Sequence, residues 1–300
     1  MIATDLAVRP ATRADQHQIA ELMDFEEHLH RHLDWRAPLD WLGWPHYWVM
    51  EDRGRILAAL ACPQDPPQVA WIRLFVHSIL LTPAEAWTPL WETAREAIAS
   101  IPATLDLDRE SPQGVSVVTV AAIAVKPWFR TLLETSGFVL HQNIVLLEWQ
   151  GSLVNWDHRS RQDGLQVRRM ARQDLPEVAA LDADAFDLLW RNSQEALQKA
   201  FSQALYATVA VLDGRIRGYQ ISTGNISGGH LGRLAVWRDV QGHGIGRTLV
   251  SDLQTWLQAR HLDRLTVNTQ ADNAASLILY QRMGFIKTGD VFPVYTSELG

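Results

Sequence analysis

The sequence predicts an α/β (α+β) fold built twice along one chain. Two observations carry that prediction. The first is a strand, glycine-loop and helix unit at Leu231–Leu257. The second is a set of short strings that return in the same order in the two halves.

Leu234, Ala235, Val236 and Trp237 are an apolar, strand-like run, and Gln241-Gly242-His243-Gly244-Ile245-Gly246 follows as a loop. Leu249, Val250, Leu253, Trp256 and Leu257 then recur at helical spacing. Such a loop aims backbone N–H groups at the positive end of a helix dipole and makes an anion site, most often for phosphate. Glycine permits φ > 0 and close approach of a ligand. Spacing excludes two common phosphate loops. A Walker loop needs glycine at 241 and lysine at 247, where Gln241 and Arg247 stand. A dinucleotide G-x-G-x-x-G needs glycine at 247 or 249, and Arg247 and Leu249 stand there. Downstream, Leu265–Asn268 reads as a strand and Ala271–Tyr280 as a helix, with Gly284 as its C-terminal glycine.

The repeat is read from three matches. Val8–Asp15 parallels Val167–Asp174, Trp48–Ile56 parallels Val209–Ile216, and Ser136-Gly137-Phe138 parallels Met283-Gly284-Phe285. Both halves then read strand, helix, hairpin, strand, helix, strand, helix, strand. The expected boundaries are a first domain over 1–150, a polar linker over 151–164 and a second domain over 165–300.

Composition fits a soluble globular protein, with 47% hydrophobic and 20% charged residues. A formal charge of −7 argues against a nucleic-acid partner. The single cysteine, Cys62, rules out an intrachain disulfide and fits a reducing, cytoplasmic setting. No apolar run is long enough to span a membrane, so no membrane association is expected. Nine of the thirteen tryptophans precede residue 150, which reads as core and interface packing.

Gln241, Gly244 and Gly246 form Q-x-x-G-x-G, and Asn273 to Phe285 form N-x-x-S…L-Y-x-x-x-G-F. Together they resemble the two signature halves of the GCN5-related N-acetyltransferases, the GNAT family, over about Val167 to Val294. The resemblance implies tandem folds, each a central mixed, mostly antiparallel sheet flanked by helices. It also implies acetyl-CoA as co-substrate, held at Leu234, Ala235, Val236, the Gln241–Gly246 loop (including Gly242, His243 and Ile245), Arg247, Thr248, Asn273, Ser276 and Tyr280. No metal is implied. A backbone N–H of Leu234–Val236 would polarise the thioester. Tyr280 is the expected general acid toward the leaving thiolate, and His230 a candidate general base.

The first copy reads as degenerate. Leu81–Trp87 stands where its phosphate loop belongs and has no glycine, while Pro83 removes a donor and Glu85 adds a negative charge. A structural role beside the second copy is expected. His28 and His32 stand at i, i+4 and are read as a solvated helical face rather than a metal site. Phe186, Trp190 and Arg191 are expected to frame an acceptor pocket, with Asp182, Asp184 and Asp187 suited to a cationic amine.

The resulting reading is an N-acetyltransferase acting on a primary amine of a small molecule or peptide. Its alternatives are a non-catalytic acyl-CoA sensor and an acetyltransferase of protein N-termini, of the ribosomal-protein type. The acceptor and the oligomeric state are left open.

Overall fold

The computed structural model describes residues 6–100, 117–151 and 164–300. Most of the expected linker, residues 152–163, lies outside the described residues. In chain order the first half runs β1 (Leu6–Pro10), α1 (Gln16–Phe25), β2 (Leu29–Arg31), β3 (Tyr47–Asp52), β4 (Arg55–Ala61), β5 (Val69–Trp71) and β6 (Leu74–His77). It continues through α2 (Pro83–Ala99), β7 (Val118–Ile123), α3 (Pro127–Thr135) and β8 (Val139–Gln150). The second half runs β9 (Gln166–Arg169), α4 (Leu175–Ala185), α5 (Gln194–Ser202), β10 (Tyr206–Leu212), β11 (Arg215–Asn225) and β12 (Gly228–Val236). It ends with α6 (Ile245–Gln258), β13 (Arg264–Gln270), α7 (Ala274–Arg282) and β14 (Ile286–Leu299).

The repeat holds at the level of single hydrogen bonds. Arg9 forks onto Asp15 at 2.8 Å through both nitrogens, and Arg168 forks onto Asp174 at 2.7 and 2.9 Å. Each aspartate also accepts a backbone N–H three residues earlier, from Thr12 and from Ala171. Gln18 accepts from the Ile56 amide, and Glu177 from the Ile216 amide. Both hairpins turn through two residues of positive φ, Arg53-Gly54 and Asp213-Gly214. Such turns match the right-handed twist of the flanking strands. Both hairpins also carry a bulge at matched positions, after Met50 and after Ala210.

The chain divides into two compact units, 1–141 with 293–300, and 142–292. These bounds differ from the sequence boundaries because the last strand of each half completes the other unit. In unit 2, β8 pairs antiparallel with β13 from Ile144↔Gln270 to Gln150↔Arg264, and the order runs β8-β13-β12-β11-β10-β9. Only β12 and β13 run parallel there. Val145, Leu147 and Trp149 pack with Leu231, Val250, Leu253, Leu257, Val267, Tyr280 and Phe285. In unit 1, the end of β14 pairs with β7 from Val294↔Ile123 to Leu299↔Val118, and Tyr295 donates to Glu134 at 2.5 Å.

Most of the early tryptophans are consumed inside unit 1. Trp48, Trp87 and Trp91 join one core cluster and Trp41 another. Their density therefore reflects that unit's own cores. Trp149 alone among the nine belongs to the core of unit 2. Among the described residues no helix is long and apolar enough to cross a membrane.

Candidate active site at an open strand edge and a helix N-terminus

In unit 2, β12 pairs with β13 only from Gly229↔Leu265 to Leu231↔Val267, and the two strands then part. On its other side β12 remains paired with β11 as far as Gly218↔Val236. The Trp237 amide donates to Arg217 O at 3.2 Å. Alternation along an antiparallel ladder therefore turns the N–H groups of Leu234 and Val236 toward the open side. The Val236 carbonyl on that side accepts from Gln241 Nε2 at 3.1 Å, which ties the loop to the end of the edge.

The loop is shorter than the sequence suggests. It closes at Gly244, and Ile245 and Gly246 already belong to the first turn of α6. Gly242 and Gly244 have φ of 81° and 84°, a region that disfavours other residues. A Cβ at Gly242 would meet nothing within 4 Å, so its surroundings are open. A Cβ at Gly246 would meet Leu279 at 3.4 Å and Val236 at 3.7 Å. Gly244 caps α6 without a side-chain hydrogen bond, which leaves the first-turn amides without a partner in the helix. Gly218 was not anticipated. A Cβ there would lie 2.9 Å from Ile245 and 3.1 Å from Ala235 O, so this glycine seats the start of α6 on the sheet.

His243 is exposed and its Nδ1 lies 3.0 Å from Gln241 O. The Thr248 hydroxyl donates to Gly244 O at 3.1 Å, so its proton is used within the loop. Arg247 is held below the usual guanidinium range by burial and by the charge of Arg282. Arg282 is a second cation at this end of the helix that the sequence did not reveal.

Asn273 caps α7, its Oδ1 accepting from the Ser276 amide at 3.0 Å. At the other end, Phe285 N donates to Tyr280 O and Gly284 N to Gln281 O, with Gly284 at φ 84°. That is the Schellman pattern, and it fixes the turn bearing Tyr280. Tyr280 is buried, 5.5 Å from the Phe285 ring, and burial pushes its phenol up, so it stays protonated at neutral pH.

His230 does not face solvent at a hairpin end. It stands opposite Thr266 where β12 and β13 still pair, with Nδ1 2.9 Å from Thr266 Oγ1. Burial lowers its pKa, so the ring is neutral at pH 7.

Within the acidic rim Asp182 is not available to a cationic amine, while Asp184 and Asp187 make exposed contacts with Arg238. Asp182 is fully buried and takes a forked pair from Arg233 at 2.7 and 2.8 Å. It also accepts from the Tyr219 hydroxyl and from Asn192 N. Arg233 donates to Trp190 O at 2.7 Å and lies 3.4 Å from the Phe186 ring centre. Asp184 accepts the Arg238 amide, Asp187 pairs with the Arg238 side chain, and Arg191 donates to Phe186 O. Neither Arg233 nor Tyr219 stands in a motif; only their burial reveals them.

The matching place in unit 1 is filled from within. β5 pairs with β7 from Val69↔Thr119 to Trp71↔Ala121, and the strand then breaks at Ile72-Arg73 before β6. The free side of β6 is occupied by β2, from Leu29↔Val76 to Arg31↔Leu74. His28 and His32 thus flank a strand, β2, instead of sharing a helix, and they are not a solvated face. His30 is buried against Phe129 at 4.1 Å with Nε2 3.0 Å from Ile72 O, and His28 stacks on His77 at 4.7 Å. Among the described residues no cluster of metal-ligating side chains occurs. At α2, Thr82 accepts from the Glu85 amide, and the Glu85 carboxylate accepts from the Thr82 amide and hydroxyl. Those bonds hold Glu85 below the usual carboxylate range. The helix caps itself with its own anion.

Residues 170–285 match the Acetyltransferase (GNAT) family. Seventy residues are 39% identical to the N-alpha-acetyltransferase 30 of Saccharomyces cerevisiae, covering 23% of this chain and 40% of that protein. This chain therefore matches less than half the length of that relative. Two solved structures share the fold across both halves. The GCN5-related N-acetyltransferase of Sphaerobacter thermophilus superposes with a TM-score of 0.61 at 17% identity, over 98% of this chain and 95% of its own. A tandem GNAT protein from the clavulanic acid biosynthesis pathway gives 0.61 at 17% identity, over 99% of each chain. The whole chain has a tandem GNAT fold.

Proposed function

We propose that this protein transfers the acetyl group of acetyl-CoA to a primary amine, and that unit 2 alone does so. The observation that carries the reading is the open edge of β12 running into an uncapped α6. The amides at Gly242–Gly246 would hold the pyrophosphate, since a helix N-terminus attracts anions. Arg247 and Arg282 repel each other when the site is empty, and a polyanion relieves that repulsion. The N–H groups of Leu234 and Val236 face the place where a thioester oxygen would gain charge. Gly242, with no neighbour for a Cβ, leaves room for close approach.

Tyr280 keeps its proton until a thiolate leaves, which suits a general acid. His230 is neutral and able to accept a proton from the amine, although burial makes it a weaker base than a free histidine. Asn273 and Ser276 act by fixing the start of α7. With Asp182 buried and paired, any carboxylate contact to the acceptor falls to Asp184 and Asp187, whose contacts with Arg238 are exposed and weak. The likeness to an N-alpha-acetyltransferase favours a peptide α-amine as acceptor.

The test is a panel of peptides and small amines incubated with acetyl-CoA, read as free thiol. Release above the hydrolysis background with at least one amine supports the reading. Failure of the full chain to bind acetyl-CoA in calorimetry overturns it.

A further inference from the structure

We propose that Asp182 and Arg233 are positioning residues that hold the 187–192 segment off the free edge of β12 and so keep the cleft open. The argument rests on the acetyl-CoA reading for what enters the cleft, and on the internal repeat for the rest. α1 and α4 end alike. The Glu26 amide donates to Leu22 O and the Phe186 amide to Asp182 O, both at 3.1 Å, although α4 is one residue longer than α1. Glu26 and Phe186 both leave the helix in extended conformation. From there each chain runs the same number of residues to an equivalent bond, Ala11 N to Tyr47 O and Met170 N to Ala207 O. Residues 28–32 of unit 1 thus match residues 188–192 of unit 2.

The matched segments differ in state. In unit 1 the segment is β2 and lies in the cleft, with His32 N donating to Arg73 O and His77 N to His28 O. In unit 2 the segment forms a 3-10 turn at Leu188–Trp190 and is not a strand of the sheet. Asn192 N, the counterpart of His32 N, donates to Asp182 Oδ1 at 2.8 Å instead of to a strand. Arg233 completes the hold by taking Asp182 in a fork and Trp190 O on the remaining side. Counted from the matched Gln18 and Glu177, unit 1 has Met23 in place of Asp182 and cannot make this hold. Its arginine at the strand break, Arg73, pairs with Asp34, which lies beyond β2. One fold position, aspartate in unit 2 and methionine in unit 1, therefore goes with an open cleft or a filled one.

The test uses the full chain with Asp182→Leu and Arg233→Met together, which removes both charges of the buried pair at once. Without ligand, the Leu234 and Val236 amides should gain hydrogen-exchange protection, because the segment now pairs with them. Acetyl-CoA affinity should fall by about tenfold or more, set by the fraction of open cleft that survives. Adding Trp190→Pro should reverse both effects, because proline at the position matched to His30 cannot donate to the new ladder. A purely structural role for the pair would not be reversed by a third substitution. Unchanged protection in a folded double variant overturns the proposal, as does failure of Trp190→Pro to reverse a gain in protection. If the double variant does not fold, Arg233→Lys keeps the charge and loses the fork. It should shift protection the same way by less, and no shift is equally fatal. A parent protein that fails to bind acetyl-CoA sinks the acetyl-CoA reading alone, because the exchange result needs no ligand.

Discussion

The two units share a scaffold down to matched ion pairs and bulges, yet they differ at every point where a ligand would touch. In unit 2 the first-turn amides of α6 and the edge amides of β12 have no partner within their own elements. In unit 1, Thr82 takes the Glu85 amide at the start of α2, Glu85 takes the Thr82 amide in return, and β2 takes the edge of β6. Capacity to bind, in this fold, is the property of leaving particular donors unspent.

The strongest way to break this comparison is to cut between the halves. Residues 165–300 expressed alone should be insoluble, because that fragment lacks Val145, Leu147 and Trp149 from the core of unit 2. Residues 142–292 should instead give a soluble product with a cooperative melt. In the full chain, Trp149→Ala should cost about 3–5 kcal/mol, read by urea titration. A soluble, cooperatively melting 165–300 fragment would show that β8 is dispensable.

The next largest effect is on ligand binding. Gly244→Glu or Gly246→Glu should abolish acetyl-CoA binding in calorimetry, since each places a carboxylate at an anion site and Gly246 has Leu279 3.4 Å from its missing Cβ. The parent should show one site per chain. Two sites of similar affinity would mean that β2 yields its place in unit 1.

Tyr280→Phe should lower kcat by ~10²-fold with acetyl-CoA affinity nearly unchanged, as expected for loss of a general acid. An unchanged kcat at saturation would remove the hydroxyl from the chemistry.

The smallest effect separates the units by acid. Burial depresses His30 to about 4 and lowers His32, His46 and His77 as well, so unit 1 holds these rings neutral. The unfolded chain takes up protons below about 6.5 while the folded chain does not, so stability is complete above that pH and declines toward about 4. For His30 alone the loss at pH 5 is about 2 kcal/mol, at 1.36 kcal/mol per pKa unit. Urea titrations at pH 7.5 and pH 5 should show a smaller drop for His30→Phe than for the parent. Equal drops would mean that the ring is already charged in the folded state.

The fold was legible because its signals are local. The glycine loop, the hairpin turns and the Val-Arg…Asp strings each fix a backbone shape within a few residues, and both copies repeat them. The self-capping of α2 was half legible, since Pro83 and Glu85 stood where glycine belonged. The exchange of β8 and β14 was not, because strand pairing between distant segments leaves no periodic trace. The histidines misled for a related reason. His28 and His32 fit helical spacing, and only the free edge of β6 made that stretch a strand. Asp182 read as a loop carboxylate because its partners Arg233 and Tyr219 lie far along the chain.

The exchange of final strands also sets an order of events during synthesis. Residues 293–299, which close the sheet of unit 1 against β7, leave the ribosome only after all of unit 2 has been made. The first half must therefore wait, with the β7 edge uncovered, while the second half is translated. A ribosome that stalls or stops just after residue 292 would harm the earlier-made unit while leaving the later-made one whole.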